Sequence, residues 1–228
     1  MSASSRADLT YQSLRRAIIE QAVKPGAKLR EDEIGGHFGV SRTIVRAALA
    51  RLHAEGLVDI RPKRTATVAA PTADEARAIF EVRRCLEREV VAILARCWSA
   101  SAKAALLAHI EDEDTAGRRG DHAGAGRLAG EFHIVLARLT GNALLERYVS
   151  EVVSRSSLIL AVHGRAHRAD CSTAEHRGVV AALDAGDEER AMRLMAEHLQ
   201  AVIGRALPDQ ASQDEPSLTA VLARYGAP

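Results

Sequence analysis

The apolar positions of this chain change their period twice. Between Ser41 and Ala54, the residues Val45, Ala48, Leu49 and Leu52 recur at the i, i+3, i+4, i+7 spacing of an amphipathic helix. Arg42, Thr43, Arg46 and Ala50 are left on its outer face, with Arg42 and Arg46 one turn apart. Gly39 is placed to end a short preceding helix in the left-handed conformation, and Ser41 to cap the next through its hydroxyl. Beyond Gly56, Leu57-Val58-Asp59-Ile60 and Ala66-Thr67-Val68 predict two short strands joined by the basic tip RPKRT. From Asp74 to about Leu207 the pattern is helical again, rich in Ala, Leu, Arg and Glu and without Pro between Pro71 and Pro208. It predicts helices at 74–97, 101–117, 122–139, 143–164, 173–185 and 187–205. They break at Ser99, Gly120, Gly141-Asn142, a 165–171 loop and Gly186.

The expected architecture is mainly α. An N-terminal winged helix-turn-helix with a small β-hairpin wing (1–71) precedes a C-terminal all-α helical bundle (72–207) and a polar tail (208–228). Thr72 or Asp74 can cap the first helix of the bundle, and Asn142 reads as a turn or cap. No period of 20–50 residues repeats, which argues against a solenoid.

Charge sharpens this division. Residues 1–72 hold 12 Lys+Arg against 7 Asp+Glu, and residues 73–228 hold 19 against 23, so a formal net charge of +1 conceals a basic head and an acidic body. Three cysteines, Cys85, Cys97 and Cys171, form no even framework and point to reduced thiols in a cytoplasm. No signal peptide or membrane-length apolar run is visible.

In a helix-turn-helix, the first turn of the second helix enters the major groove, where Arg can take O6 and N7 of guanine. Here that turn presents Ser41, Arg42 and Thr43, with Arg46 one turn on. Arg61, Lys63 and Arg64 on the wing tip suit the phosphate backbone, so they supply affinity more than specificity. Surface arginines and a Gly turn are individually ordinary. Turn, cap, arginine pair and wing in this order are not, and the expected partner is double-stranded operator DNA.

The phrases KPGAKLRE, FGVSRTIVRAALARLHAEGLV and RPKRTATV resemble the winged helix of the GntR transcriptional regulators over about the first 70 residues. The resemblance implies that Arg30, Ser41, Arg42, Thr43, Arg46, Lys63 and Arg64 meet DNA. The family often has an acidic residue where Ala47 stands and a Gly where Thr65 stands, and the second difference bears on the wing tip.

The helical region carries its own chemistry. His133, His176 and His198 lie in three different predicted helices among apolar neighbours, in EFHIVLARL, AEHRGVV and MAEHLQAVI. Three imidazoles meeting in one core suit a first-row metal, whereas a lone helical His is more often a hydrogen-bonded core residue. FEVRRCLE, EFHIVLARLTGNALLERY and AEHRGVVAALDAGDEERAMRLMAEHL resemble the FCD effector domain of the FadR branch of GntR regulators. That resemblance implies divalent-metal binding by His133, His176 and His198, with Zn²⁺ favoured because His ligation without a carboxylate suits Mg²⁺ or Ca²⁺ poorly. The Asp that many members place one turn before the first His is Ala129 here. The site then keeps three His with water or effector, borrows another group, or stays empty. Glu131 lies on another side of the helix and is a poor substitute, and Cys171 is a second candidate.

Arg83, in the phrase Glu81, Arg83, Glu87, admits two readings. The resemblance puts it at the pocket, clamping a carboxylate effector. Its spacing alone allows a simple i, i+4 ion pair with Glu87. A flat aromatic ligand is disfavoured by an aromatic content of 3%. The expected protein is a homodimeric repressor whose operator affinity is set by a small organic acid in the bundle, with metal sensing and no organic ligand as the alternative. A zinc hydrolase is the remaining class. HExxH, GxSxG and a phosphate-cradling Gly loop are all missing, and no carboxylate is obviously paired with the histidines as a base.

Overall fold

The computed structural model describes residues 3–163 and 170–207. The N-terminal part is built from α1 (Ala3–Ile19), β1 (Lys28–Leu29), α2 (Glu31–Phe38), α3 (Arg42–Ala54), β2 (Val58–Asp59) and β3 (Ala66–Val68). The strands form one antiparallel sheet in the order β1-β3-β2, with Val58 opposite Val68 and Leu29 opposite Ala66. Two elements go beyond the predicted set, α1 and β1. The apolar stripe of α1 is thin, since Tyr11, Leu14 and Ile18 are its buried hydrophobic residues, and β1 contributes a single buried side chain, Leu29. Both close the core formed by Val45, Leu49, Leu52 and Leu57.

Gly39 ends α2 as expected, at φ 62 with its N–H bonded to the Gly35 carbonyl. Ser41 departs from expectation. It occupies the N-cap position of α3, but its side chain makes no cap hydrogen bond, and its carbonyl starts the helix by accepting from Ile44 and Val45. The helix start is exposed, so its remaining N–H groups are open to water. At the wing tip the left-handed residue is Lys63, φ 58, and Arg64 N–H donates to the Arg61 carbonyl. Backbone strain at the wing tip therefore falls on Lys63, two residues before the Thr65 that replaces the family's Gly.

The bundle comprises α4 (Ala73–Cys97), α5 (Ala100–Arg118), α6 (His122–Leu139), α7 (Ala143–His163), α8 (Asp170–Asp184) and α9 (Glu188–Ala206). Thr72 caps α4 through a reciprocal capping box with Glu75. Ser99 caps α5, Asn142 Oδ1 accepts from Leu144 and Leu145 at the start of α7, and Gly120, Gly141 and Gly186 all take positive φ. One core, including Leu94, Ile110, Phe132, Val149, Leu183 and Leu199, runs through all six helices. The 208–228 tail and most of the predicted 165–171 loop lie outside the described residues.

The two parts meet along α7. Leu158 is buried in the N-terminal core, and Arg15 Nη2 donates to Ser154 Oγ at 2.9 Å. His163 Nε2 lies 2.9 Å from the Pro71 carbonyl, and Arg127 of α6 reaches Glu20 at 2.9 Å. Gly56, at φ 71, turns the chain out of α3 so closely against α7 that an added Cβ would lie 2.2 Å from Arg155 Nε. Gly56→Ala is expected to lose about 1–2 kcal/mol from the left-handed backbone alone and more from the Arg155 contact. Urea unfolding of Gly56→Ala with and without Arg155→Ala checks this. Part of the loss should return in the double variant, and equal losses in both backgrounds would exclude the contact.

Candidate metal and effector cavity and nucleic-acid interface

Three buried imidazoles from three helices meet in the bundle: His133 from α6, His176 from α8 and His198 from α9. Each sits on the apolar face of its helix, so helix packing alone drives them inward. The Phe132 ring stacks on His176 at 3.9 Å and fixes its plane. The Nδ1 atoms are all tied to carboxylates: His133 to Glu87 at 2.5 Å, His176 to Glu113 at 2.9 Å and His198 to Glu175 at 2.6 Å. A carboxylate on Nδ1 places the proton there and leaves Nε2 as a lone pair.

The lone pairs converge. One nitrogen from each ring lies within 4.8 Å of the others, and His133 Nε2 and His198 Nε2 stand 3.2 Å apart. His176 Nε2 is buried with no hydrogen-bond partner among the described residues. Burial drives the His133 imidazole down to about pKa 3, against the pull of Glu87, and lowers His176 as well, so both rings are neutral. Burial by itself would raise Glu87, but the Arg83 guanidinium and His133 outweigh it and hold the carboxyl at about 2. Facing acceptors and an orphaned nitrogen form a donor set that fits a divalent cation.

These groups open on a cavity of about 400 Å³. Arg83 lines it and also gives its Nε to Glu87 at 2.6 Å, both side chains being buried, so the i, i+4 ion pair forms at the cavity wall. Ala129, one turn before His133, lines the same cavity without offering a donor atom. Glu131 turns elsewhere and pairs with Arg127 at 2.7 Å. The side chain of Cys171 lies outside the described residues. Cys85 and Cys97 are exposed and unpaired among the described residues.

Sequence reasoning missed Glu113, Glu175 and Gln21 at this site, and named Glu87 only as the ion-pair partner of Arg83. Glu113 sits in the run EDED, which reads as a solvated face, yet its phase with Leu106 and Ile110 puts it on the buried stripe. Glu87 likewise continues the stripe of Phe80 and Arg83 toward Val90 and Leu94. Glu175 precedes His176 directly and bonds instead to His198, which spacing does not reveal. Gln21, just after α1 and at φ 59, lines the cavity from the N-terminal part.

At the other end of the molecule, Arg30, Arg42, Lys63 and Arg64 line one shallow groove between α2, α3 and the wing. Ser41, Arg42, Thr43 and Arg46 are exposed along α3. Three acidic residues accompany them. Arg42 Nε bonds Asp32 at 2.7 Å, Arg46 Nε bonds both oxygens of Glu31 at 2.9 Å, and Arg30 pairs with Glu33 at 2.8 Å. Among the described residues no helix is long and apolar enough to cross a membrane.

Comparison with known proteins accords with both ends. Residues 6–68 match the gntR family of bacterial regulatory proteins and residues 78–201 match the FCD domain. An uncharacterized HTH-type transcriptional regulator from the TAR-I ttuE-ttuC' intergenic region of Agrobacterium vitis is 35% identical over 112 residues, 49% of this chain and 65% of that one, just under two thirds of its length. A probable D-xylose utilization operon transcriptional repressor of Paenarthrobacter nicotinovorans is 28% identical over 178 residues, 78% of each chain. Among solved structures, a putative GntR transcriptional regulator from Rhodococcus sp. RHA1 superposes with a TM-score of 0.78 at 27% identity, covering 89% of this chain and 98% of that one. McbR/YncC of E. coli shares the fold, with a TM-score of 0.79 at 22% identity over 90% of this chain and 98% of that one. Regulators of this kind bind operator DNA and typically dimerise, and they are not enzymes. With both of its parts matched, the chain belongs to the GntR family of transcriptional regulators, in the group that carries an FCD domain.

Proposed function

We propose that this regulator is a homodimeric cytoplasmic repressor that binds operator DNA through Arg30, Ser41, Arg42, Thr43, Arg46, Lys63 and Arg64. On this reading a small organic acid, taken up in the bundle beside His133, His176 and His198, controls its affinity. The observation that carries it is the convergence of three carboxylate-backed imidazoles in a cavity that a residue of the N-terminal part, Gln21, also lines. Zinc held by the three Nε2 atoms would supply a Lewis-acidic position for a carboxylate oxygen. Around it, Glu87, Glu113 and Glu175 orient the rings, Arg83 brings positive charge to the wall, and Ala129 leaves room where a carboxylate side chain would compete with the ligand. Ligand occupancy then favours one arrangement of the two parts across α7, which shifts the spacing of the two recognition helices in a dimer.

Arg46→Ala is expected to weaken operator binding far more than non-specific binding in competition assays, by the roughly 5–150-fold of one lost bidentate pair. Equal losses on both would place the contact on phosphate. His133→Ala combined with His176→Ala should remove zinc on elemental analysis, and unchanged metal content would sink the three-His site. Glu113→Gln keeps all three ligands but should lower zinc affinity about 10–100-fold in chelator competition, with folding followed by circular dichroism. Ala129→Asp should bind zinc more tightly while blunting the thermal stabilisation given by small carboxylic acids. Operator release by zinc alone, with no further effect of any acid, would favour the metal-sensing alternative.

A further inference from the structure

We infer that Asp32 and Glu31 are positioning residues for DNA reading, holding the guanidinium groups of Arg42 and Arg46 edge-on for guanine. This rests on the reading that those two arginines meet DNA. Both acids bond the arginines at Nε, Asp32 at 2.7 Å and Glu31 through both oxygens at 2.9 Å. A guanidinium has a fork of N–H groups, and with Nε occupied the edge left to span O6 and N7 of guanine is the terminal Nη1–Nη2 edge. A carboxylate at Nε therefore fixes the plane of the fork and leaves its reading edge outward. Both arginine side chains remain 67% exposed, so the fixed forks point into solvent.

The acids are themselves held. They open α2, whose Ile34 and Gly35 are buried, and a Cβ added at Gly35 would lie 3.7 Å from Val45 Cγ2 of α3. An acidic first turn also suits the helix dipole, but the dipole does not require partners 10 and 15 residues away on another helix. Exposed pairs of this kind add little to stability. Restricting two long side chains to one orientation before DNA arrives is a separate contribution, because it removes rotamer freedom otherwise lost on binding.

The two roles that a carboxylate can have beside DNA differ in sign. As a bare negative charge near phosphates it weakens binding to every sequence. As a support for a reading arginine it strengthens binding only where guanine stands in register. The test uses the full chain, an operator selected by it from a random duplex pool, and a scrambled duplex of the same composition. Asp32→Ala and Glu31→Ala are each expected to lower operator affinity about 5–10-fold, within the range of one arginine–guanine pair, and to raise scrambled-duplex affinity about twofold. In the Arg42→Ala background, Asp32→Ala should no longer lower operator affinity. Affinity rising on both duplexes would mean simple repulsion and overturn the inference, as would no change on either. Equal losses on both with a lowered Tm would assign the acids to folding and overturn it too. Should Arg42→Ala leave operator affinity intact, the DNA-reading assignment itself fails, and that arm shows it directly.

Discussion

Negative charge buried inside a helical bundle is tolerated only where donors meet it, and the buried Glu87 and Glu113, with the partly buried Glu175 beside them, impose that condition on everything around the cavity. Each carboxylate lies within reach of a ring Nδ1, and the ring must turn to present it. Once the three rings have turned, their other nitrogens have nowhere to point except at one another. The concentration of acceptors in the cavity is thus a product of how the bundle neutralises its acids. Arg83 completes the arrangement by giving Glu87 a second counter-charge, which keeps that carboxyl ionised at about pKa 2 and the neighbouring imidazole free to be neutral.

The same economy of partners joins the two parts of the chain. One side of α7 faces the cavity with Val153, Ser156, Ser157 and Leu160, while Ser154, Arg155 and Leu158 engage the N-terminal part. Arg127, on the helix that carries His133, bridges Glu20 and Glu131. A group entering the cavity would meet side chains whose immediate neighbours along the helix grip the DNA-facing part. For the switch proposed above no long relay would be needed between the two ends, because they share an element.

Much of this was legible in the chain. The bundle helices follow from broad apolar stripes interrupted by glycines that take positive φ, and the six predicted spans differ from the observed ones by three residues at most. The three histidines were visible because each sits within an apolar face. Their carboxylate partners were not, since Glu113 is camouflaged by Asp112 and Asp114 in an acidic run, and hydrophobic periodicity counts a buried Glu as surface. Helix α1 was hidden by the thinness of its stripe. The cap assigned to Ser41 is a different case: residue preference marks the N-cap position, which Ser41 does occupy, but not the hydrogen bond, which Thr72 and Ser99 make at equally exposed helix starts and Ser41 does not. The acids facing Arg42 and Arg46 needed the crossing of α2 over α3, which local pattern does not encode.

Leu158 gives the division of the chain a different meaning from the one the linker suggests. It belongs by sequence to the bundle and by packing to the core of Leu49, Leu52 and Leu57. The DNA-facing part is consequently not an interchangeable cassette. A recombination event that joined it at Pro71 to a foreign bundle would arrive with an uncovered apolar socket, and would succeed only where the new partner supplied a side chain of similar shape at that place. Shuffling of such heads among regulators would thereby meet a packing condition toward the end of α7, at Leu158 and the contacts around it, before any question of which DNA is read or which ligand is bound.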